Sequence, residues 1–439
     1  MARIFKAKKK TQVEKKHQQV TIERLDHKGA GIAFFQRKPL FIEGALPSEV
    51  VLTQLTESKS KYARGSLIKI LKTAANRIEP FCPHYDECGG CNFQHLSHDE
   101  QVQHKENTLR HLMRKVVTEQ TDYRPTVLSD STEYRRRVRF SVKWNPKTRT
   151  LAFGFRKAKS NDIVEINQCD ILDKTLAALI PSIKSTLGQL SDPKLIGHVE
   201  LVKGDNTIGL SLRHLSALTP RDQETLNELA IEQQLSLYLI PETDRIDLSL
   251  GEPLYYDDND AVIRFNPSHF VQVNKNINQK MVAQALEWLE LTADDRVLDL
   301  FCGLGNFSAP LAKKVQQVVG VEGVEEMVVA ASHNAQQNQL NNIDFYQANL
   351  ETPLLSHQWA KERFSKVLLD PARAGAQGVV EQLHQLNASH IVYVSCNPTT
   401  LARDAEKLIE NGYTLSRLGM LDMFPQTSHL EAMALFTKK

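Results

Sequence analysis

The C-terminal part of the chain alternates between short apolar runs and helical segments, and this alternation constrains the fold more than any other feature. After a helical pattern over Met281–Leu289, five runs have the length and apolar content of buried strands. Strands separated by helices predict a doubly wound, Rossmann-like parallel sheet, which we place over residues 268–439. The five predicted strands are Arg296–Leu300, Gln317–Val321, Ile343–Gln347, Lys366–Asp370 and Ile391–Ser395.

A cysteine follows the last of these strands, in the segment Ser395-Cys396-Asn397-Pro398. Open α/β sheets bind ligands and carry out chemistry at the carboxyl ends of their strands. Because Pro398 ends the strand and fixes a turn, the thiol of Cys396 is expected at the rim of the sheet, where a nucleophile would stand. The alternative is a small buried side chain, which is the usual state of a cysteine without a disulfide.

The first predicted strand ends in a turn with two glycines, Asp299-Leu300-Phe301-Cys302-Gly303-Leu304-Gly305-Asn306-Phe307. Glycines at such a turn let the backbone approach a ligand. The second strand ends at Glu322, whose carboxylate can accept hydrogen bonds from both hydroxyls of a ribose. Ser308 replaces the third glycine of the dinucleotide fingerprint. A nucleoside without a pyrophosphate, such as S-adenosylmethionine, therefore fits better than NAD.

Two carboxylates are further candidates for this rim. Asp370 closes the fourth predicted strand and is expected between the cofactor and Cys396, although an aspartate before Pro371 could equally cap a helix. Glu431 begins a final apolar run and could face the site as a base, or lie at the surface like most single carboxylates.

Residues 11–73 contain short strand patterns separated by glycine, proline and serine turns, which predict a small OB-like β-barrel. The segment 27–33, His-Lys-Gly-Ala-Gly-Ile-Ala, and the segment 44–49, Gly-Ala-Leu-Pro-Ser-Glu, resemble a TRAM domain. A TRAM domain is an RNA-binding barrel, so the resemblance implies contact with RNA.

Between these parts, residues 74–267 predict a mixed α+β central domain that carries a metal site. Cys82, Cys88 and Cys91 lie close together in the sequence, and Cys169 is the natural fourth ligand. Four thiolates suit either zinc or an iron–sulfur cluster, and four unrelated thiols are the alternative. Five residues separate Cys82 from Cys88, so the C-x3-C-x2-C spacing of radical S-adenosylmethionine enzymes is absent. A helical pattern over about 98–117 could pack with either neighbouring domain.

The charge distribution is more informative than the net charge of +2. One basic cluster lies at the N-terminus, from Arg3 to Lys10, and a second extends from Arg135 to Lys159 with Phe140, Trp144, Phe153 and Phe155 interleaved. Basic residues with aromatic neighbours suit phosphate contacts and base stacking. A solvated strand face over an aromatic core is the alternative for the second cluster, and a solvated tail for the first.

No apolar run reaches transmembrane length, and no apolar segment follows the basic N-terminus as in a signal peptide. We therefore expect a cytoplasmic protein that binds no membrane. In that compartment, clustered cysteines are more often metal ligands or catalysts than disulfides.

Several of these segments together resemble the motifs of the RNA uracil-5 methyltransferases. The resemblance of the catalytic domain runs from about residue 268 to the end, and the barrel and cysteines extend it over nearly the whole chain. A chain with both the barrel and the four cysteines resembles the branch that acts on 23S ribosomal RNA. The tRNA branch lacks both the barrel and the cysteines, and a related branch has the cysteines without the barrel. The matching motifs are Asp299–Phe307, Leu369–Arg373, Ser395–Thr400 and His429–Met433.

The resemblance implies transfer of a methyl group from S-adenosylmethionine to carbon 5 of one uridine in 23S rRNA, through a covalent adduct between a cysteine and carbon 6. It makes Cys396 the nucleophile and Glu431 the proton acceptor. It implies a [4Fe-4S] cluster on Cys82, Cys88, Cys91 and Cys169. It assigns the cofactor contacts to Gln272, Phe301, Asn306, Glu322, Asn349 and Asp370, with Asp370 between the cofactor and uracil.

We expect a monomer that binds 23S rRNA as free or partly assembled RNA. The same chemistry on another 23S uridine or on tRNA is the first alternative. An RNA-binding factor without a cofactor would explain the barrel and the basic cluster, but not the set Cys396, Asp370 and Glu431. A redox enzyme would explain the metal site and the α/β domain, but its nicotinamide or flavin suits the glycine turn poorly.

Overall fold

The computed structural model describes residues 16–241 and 245–438, and the chain divides into two compact units. The first unit runs to residue 85 and includes 91–105 and 426–428, and the second contains 86–90, 106–425 and the residues from 429 onward. The predicted division into three domains stays a prediction. The basic N-terminal cluster lies outside the described residues. No helix in the described part of the chain is long and apolar enough to cross a membrane.

The first unit contains a six-stranded, mostly antiparallel sheet in the order β1-β5-β6-β4-β3-β2. Buried and exposed residues alternate along β5, so one face of the sheet covers a core that includes Leu40, Ile42 and Val51. The strands are β1 (His17–Thr21), β2 (Arg24–Leu25), β3 (Gly31–Phe35), β4 (Lys38–Ile42), β5 (Val50–Ser58) and β6 (Ala63–Lys72).

A helix, α1 (His98–Met113), has residues in both units and is four residues shorter at its C-terminus than the sequence predicts. The two-residue strand β7 (Asp122–Tyr123) follows it in the second unit.

The second unit begins with a seven-stranded mixed sheet in the order β10-β9-β8-β11-β12-β13-β14. The sequence predicts four strands for this region, and the structure confirms all four with ends that differ by one to three residues. The predicted strands are Val138–Val142, Leu151–Phe155, His198–Val202 and Thr207–Leu212. Its strands are β8 (Arg137–Asn145), β9 (Thr150–Arg156), β10 (Ile163–Glu165), β11 (Ile196–Lys203), β12 (Ile208–His214), β13 (Leu235–Ile240) and β14 (Asp247–Leu250). The helices of this region are α2 (Lys174–Ala178), α3 (Ile180–Gln189) and α4 (Pro220–Glu232).

The aromatic residues of the second basic cluster belong mainly to the core of this sheet. Phe140 and Phe153 are fully buried, and their rings stack with centroids 4.6 Å apart. They are therefore not base-stacking platforms, and for these two residues the aromatic-core alternative is correct. The basic residues from Arg139 outward, such as Lys143 and Lys147, are exposed.

The hairpin formed by β15 (Leu254–Asp258) and β16 (Ala261–Phe265) leads into the last region of the second unit. An eight-stranded sheet follows in the order β19-β18-β17-β20-β21-β23-β22-β7. Its strands are β17 (Arg296–Leu300), β18 (Gln317–Glu322), β19 (Ile343–Gln347), β20 (Lys366–Leu369), β21 (His390–Ser395), β22 (Thr414–Leu421) and β23 (Glu431–Thr437). The helices are α5 (Lys275–Trp288), α6 (Ser308–Ala312), α7 (Glu325–Gln337), α8 (Gln377–Val380) and α9 (Pro398–Glu410).

The strands β17 to β21 are parallel, as the alternating pattern predicts, and all five predicted strands are confirmed to within one residue at either end. β23 inserts antiparallel between β21 and β22. Val297, Leu368 and Val392 of the sheet pack with Met281 and Leu286 of α5 in one apolar core. Short 3-10 helices cover Pro193–Leu195, Leu354–Ser356, Trp359–Lys361 and Leu383–Leu386.

Candidate active site

The candidate site lies along the rim where the parallel strands of the eight-stranded sheet end. Because β18, β17, β20 and β21 are neighbours and parallel, their carboxyl ends share one edge. The residues at or just beyond these ends are, in order across the sheet, Glu322, the turn from Phe301, Asp370 and Cys396. The sequence thus predicts correctly which strand end carries each residue.

The turn after β17 has three residues in the left-handed region of backbone conformation: Phe301 (φ 64°), Gly303 (φ 56°) and Gly305 (φ 87°). A positive φ is ordinary for glycine, but costs about 1–3 kcal/mol for other residues and recurs at ligand sites. Gly303 N donates to Glu322 Oε2 at 3.2 Å. The half-exposed Phe301 therefore has a strained backbone. It belongs to the same turn as Gly303, which contacts the carboxylate of Glu322 at the end of β18.

Backbone donors fix the carboxylate of Glu322. In addition to the contact from Gly303, Oε1 accepts from Gly323 N at 2.8 Å and from Val324 N at 3.1 Å. Asn349 lies just beyond β19, next to the end of β18, because Ala348 N donates to Glu322 O at 3.0 Å. The side chain of Asn349 is exposed, and its Oδ1 accepts from Glu351 N at 3.0 Å. Glu322 and Asn349 therefore lie at the same edge of the sheet.

Asn306 is held by two side chains that the sequence did not single out. Its Oδ1 accepts from the hydroxyl of Tyr256 and from Nδ2 of Asn278, both at 3.0 Å, and its own Nδ2 donates to Asn278 Oδ1 at 3.0 Å. Gln272 is buried two residues before Asn274, whose side chain caps α5 by accepting from Ile277 N at 3.1 Å. Tyr256 and Asn278 were missed because no short motif contains them.

Cys396 lies on a strand-to-helix turn, opposite the start of β23. Ser395 pairs with Ala432, so the next residues outward on the two strands are Cys396 and Glu431. Asn397 caps α9 by accepting from Thr399 N at 3.2 Å, and its Nδ2 donates to Arg373 O at 2.9 Å. Cys396 is partly exposed, so the alternative of a buried structural cysteine is wrong for it.

Burial raises the pKa of all three acids in this group, and nearby carboxylate charges add to the rise at Cys396 and Glu431. Burial raises the pKa of Cys396 to about 11, with the charges of Glu431 and Asp370 adding to the rise. Burial and then Asp370 raise the pKa of Glu431 to about 8, and burial raises that of Asp370 to about 7. Arg373 opposes the rise at Cys396 and Glu431. Two carboxyls that titrate near neutral pH and a thiol that stays protonated there therefore share this rim.

A family model described as tRNA (uracil-5-)-methyltransferase matches residues 97–439, and a TRAM-domain model matches residues 13–68. The chain belongs to the RNA uracil-5 methyltransferase family. Its N-terminal barrel is a TRAM domain, as the sequence predicts, and its C-terminal domain has the Rossmann-like fold of S-adenosylmethionine-dependent methyltransferases.

Curated relatives of the chain match it from end to end. A Vibrio campbellii protein named 23S rRNA (uracil(1939)-C(5))-methyltransferase RlmD is 57% identical over 100% of both chains. A Vibrio cholerae protein of the same name is 55% identical, also over 100% of both chains. Among solved structures, a Pyrococcus abyssi tRNA (uracil-54, C5)-methyltransferase in complex with S-adenosyl-L-homocysteine has a TM-score of 0.75 and 23% identity. The match covers 96% of this chain and 100% of that one.

In this uracil-5 methyltransferase, two of the alternative interpretations are wrong: a helix cap for Asp370 and a surface position for Glu431. Asp370 does not cap a helix, because the next helix begins at Gln377 after Ala376. Glu431 is not a surface residue, because only 3% of it is exposed. A further carboxyl, Asp299, is fully buried behind the glycine turn and accepts from Ser308 Oγ at 2.5 Å. Burial raises the pKa of Asp299 to about 7, against the hydrogen bond from Ser308.

The four cysteines predicted as metal ligands, Cys82, Cys88, Cys91 and Cys169, are all partly exposed. Gly90 N donates to Cys88 Sγ at 3.4 Å. Within residues 16–241 and 245–438, no three His, Cys, Asp or Glu side chains are arranged to hold a metal ion. Four thiols fit zinc or an iron–sulfur cluster by their chemistry, and the ligand assignment stays a prediction.

Proposed function

We propose that this enzyme transfers a methyl group from S-adenosylmethionine to carbon 5 of one uridine in 23S rRNA. The expected target is uridine 1939, as in the names of its full-length relatives. The observation that carries the proposed chemistry is the position of Cys396 and Glu431 at adjoining ends of β21 and β23, with Asp370 at the end of the neighbouring strand β20. The TRAM domain supports an RNA substrate.

The proposed reaction begins with Cys396, because carbon 5 of uracil is a poor nucleophile. The thiolate of Cys396 adds to carbon 6, and the electron pair of the ring double bond makes carbon 5 nucleophilic as part of an enolate. S-adenosylmethionine, when bound, would supply an electrophilic methyl group. Carbon 5 would bond to this methyl group as the bond from methyl to the sulfonium sulfur breaks, which leaves S-adenosylhomocysteine. The target base must leave its stack in the RNA to reach a residue at the sheet rim.

Glu431 is proposed to complete the reaction as a general base. After methylation, carbon 5 carries both a methyl group and a proton, and Glu431 takes this proton. The electrons of that carbon–hydrogen bond restore the ring double bond and expel Cys396 as a thiolate. Cys396 cannot serve as this base because its sulfur is bonded to carbon 6. A pKa of about 8 suits Glu431, since its carboxylate is available near neutral pH and is basic enough to accept a proton.

In the free protein, Cys396 is held mainly as the thiol, because its pKa is raised to about 11. Ionisation of Cys396 is therefore a property that we assign to the complex with RNA and cofactor, in which a positive charge at the sulfonium favours the thiolate. We assign the carboxylate of Asp370 a position between the cofactor and uracil, where it would orient the ring edge by hydrogen bonds.

Six residues are proposed to contact the cofactor. Glu322 would accept the ribose hydroxyls, because backbone donors already orient its carboxylate at the end of β18. Phe301 borders the glycine turn and presents an apolar surface. Five of the six lie in the turn after β17 or at the ends of β18, β19 and β20, which supports their assignment, and Gln272 is assigned from the family motif that precedes α5. The six residues are Gln272, Phe301, Asn306, Glu322, Asn349 and Asp370.

A [4Fe-4S] cluster held by Cys82, Cys88, Cys91 and Cys169 is part of the proposal. Four protein ligands leave no iron position open, so we assign the cluster a structural or RNA-positioning role and no step of the reaction. Anaerobic absorbance and iron analysis test this assignment. Iron and sulfide at about four per chain would support it, and stoichiometric zinc without iron would refute it.

Tritium release tests the proposed function. The protein would be incubated with S-adenosylmethionine and RNA labelled with tritium at carbon 5 of uracil, with 23S fragments and tRNA in separate reactions. Release from 23S RNA alone is the expected result. Release from tRNA would retain the chemistry and change the substrate, and no release from either RNA would favour an RNA-binding factor.

The assembly state of the RNA substrate, the oligomeric state of the enzyme and its location in the cell are predicted from the sequence. Binding to 23S rRNA before ribosome assembly is complete, a monomeric state and a cytoplasmic location stay predictions. A binding assay with free 23S rRNA, assembled large subunits and intact ribosomes would rank the substrates, and light scattering would give the molar mass in solution.

A further inference from the structure

An arginine that no step of the proposed mechanism uses is buried beside the proposed cofactor site. Arg136 is only 4% exposed, whereas Arg139 in the same segment is exposed. Its backbone is fixed from both sides, because Arg136 N donates to Val273 O at 2.8 Å and Arg136 O accepts from Lys203 N at 2.8 Å. The side chain therefore has a defined direction into the interior of the second unit.

The guanidinium of Arg136 connects two residues that are expected to contact the cofactor. Its Nε donates to Gln272 O at 2.8 Å. Its Cζ lies 4.6 Å from the ring centroid of Tyr256, within the range of a cation–π contact. The hydroxyl of Tyr256 donates to Asn306 Oδ1 at 3.0 Å. One side chain thus touches Gln272 directly and Asn306 through a single ring.

The network continues beyond Asn306 into buried polar groups. Asn278 exchanges two hydrogen bonds with Asn306, each of 3.0 Å, and also donates to the carboxyl of Asp258. Asp258 is 1% exposed and lies on the same hairpin as Tyr256. Because Asn306 already receives donors from Tyr256 and Asn278, its amide is held in one orientation.

The burial of Arg136 is costly and is poorly explained by stability alone. Within the described residues, neither Nη1 nor Nη2 of Arg136 has a hydrogen-bond partner. Buried guanidinium nitrogens without partners lose their hydration without full compensation, so an apolar side chain of similar volume is often neutral or stabilising at such a place. A buried charge that is incompletely paired therefore needs a reason other than packing.

We propose that Arg136 is a positioning residue for the cofactor site, holding the backbone of Gln272 and, through Tyr256, the side-chain amide of Asn306 in the orientation that binds S-adenosylmethionine. This inference rests on the proposed function, which makes Gln272 and Asn306 cofactor contacts. Arg136 itself touches neither substrate, so its effect appears in cofactor affinity.

The test measures binding of S-adenosylhomocysteine by calorimetry, and KM and kcat with 23S RNA fragments. Arg136→Met keeps the approximate volume and removes both contacts of the guanidinium. We expect it to weaken cofactor affinity and raise the KM for S-adenosylmethionine about tenfold, which is the size of one lost hydrogen bond to a charged group. The KM for RNA and the midpoint of thermal unfolding should stay close to wild type. Arg136→Lys keeps the charge and should recover part of the affinity.

Three further variants make the test specific. Tyr256→Phe keeps the ring and removes the hydroxyl that holds Asn306, so we expect a smaller loss of about threefold. When Arg136→Met and Tyr256→Phe are combined, the two losses of binding free energy should be less than additive, because both substitutions act through one network. Arg139→Met, from the same segment but exposed, should leave S-adenosylhomocysteine affinity unchanged.

The outcomes separate this inference from the proposed function. If the wild-type protein does not bind S-adenosylhomocysteine, the cofactor assignment fails. If the wild type binds and Arg136→Met binds equally well, or if Arg136→Met weakens binding only in proportion to a lower unfolding midpoint, Arg136 is not a positioning residue.

Discussion

Two glutamates, one in each unit, are buried to nearly the same extent and are surrounded in opposite ways. Glu49 in the first unit is fully buried, and Glu431 in the second is 3% exposed. Arg77 donates to Glu49 through Nε at 2.7 Å and Nη2 at 2.9 Å, and Leu46 N donates at 2.8 Å. Glu431 lies instead beside another carboxyl, Asp370, whose charge raises its pKa.

The pKa values of the two glutamates follow from these surroundings. Burial alone would raise the pKa of Glu49, but the hydrogen bonds from Arg77, Leu46 N and Ala74 N outweigh burial and hold the pKa below its ordinary value. Burial raises the pKa of Glu431 to about 8. A buried carboxylate that is saturated with donors stabilises a fold, and one that is left short of donors is available for proton transfer.

The largest expected effect is that of Glu431→Gln, which keeps the shape of the side chain and removes the base. We expect turnover to fall about 10³-fold, the size of a general-base contribution, while a covalent adduct of protein and methylated RNA accumulates. Denaturing gel electrophoresis with labelled RNA measures the adduct. Glu410→Gln, on the exposed end of α9, is the control and should keep its activity. Rapid release of methylated RNA by Glu431→Gln would contradict its role as the base.

In contrast to Glu431→Gln, Glu49→Gln should lower the stability of the fold and leave the reaction at the rim of the sheet intact. Removing the charge leaves Arg77 without its ion-pair partner, and we expect the free energy of unfolding to fall by about 3 kcal/mol in a urea titration. The affinity for S-adenosylhomocysteine should be unchanged. Glu57→Gln removes an exposed partner of Lys59 and should leave the unfolding midpoint in place. Equal midpoints for Glu49→Gln and wild type would contradict the structural role of Glu49.

The raised pKa of Cys396 predicts how fast iodoacetamide modifies it in the free protein. Only the thiolate reacts, so with a pKa of about 11 the rate should rise about tenfold per pH unit from pH 7.5 to 9.5, without a plateau. Mass spectrometry of the peptide that contains Cys396 follows the reaction, and the Cys396→Ala protein gives the background from other thiols. A plateau below pH 9 would show that the thiol is already ionised in the free protein.

The pKa of Glu431 predicts that removal of the proton from carbon 5, and with it the release of Cys396, slows as the pH falls. This is the smallest of the expected effects. The carboxylate is the active form and predominates above pH 8, so proton removal should slow by up to tenfold for each pH unit below that value. In quenched single turnovers, the fraction of RNA trapped as adduct should therefore be larger at pH 6.5 than at pH 8.5. A fraction that does not change with pH would argue against Glu431 as the titrating group.

The parts of the fold that follow from local pattern were predictable from the sequence. The apolar runs have the length of buried strands, so the five parallel strands and the strand ends that carry Glu322, Asp370 and Cys396 follow directly. Pro398 marks the turn after the last of them. The antiparallel insertion of β23 beside β21 depends on strand pairing across the sheet, which periodicity does not contain.

The surroundings of the site were not predictable, because residues distant in sequence create them. Tyr256 reaches Asn306 from fifty positions away, and Arg136 reaches Gln272 from farther still. The strained backbone of Phe301 was not predictable, because phenylalanine rarely adopts a positive φ and nothing in the sequence marks this exception. The raised pKa of Glu431 comes from its burial beside Asp370, whereas a single glutamate in a sequence most often indicates a surface position.

The most direct test of the account is to identify the residue that is bonded to RNA in the adduct. The Glu431→Gln protein would be incubated with S-adenosylmethionine and a 23S fragment, digested with protease and nuclease, and analysed by mass spectrometry. We predict a methylated uridine on the peptide that contains Cys396, and no adduct when Cys396→Ala is added to Glu431→Gln. An adduct on Cys302, or turnover by the double variant, would contradict the covalent role of Cys396.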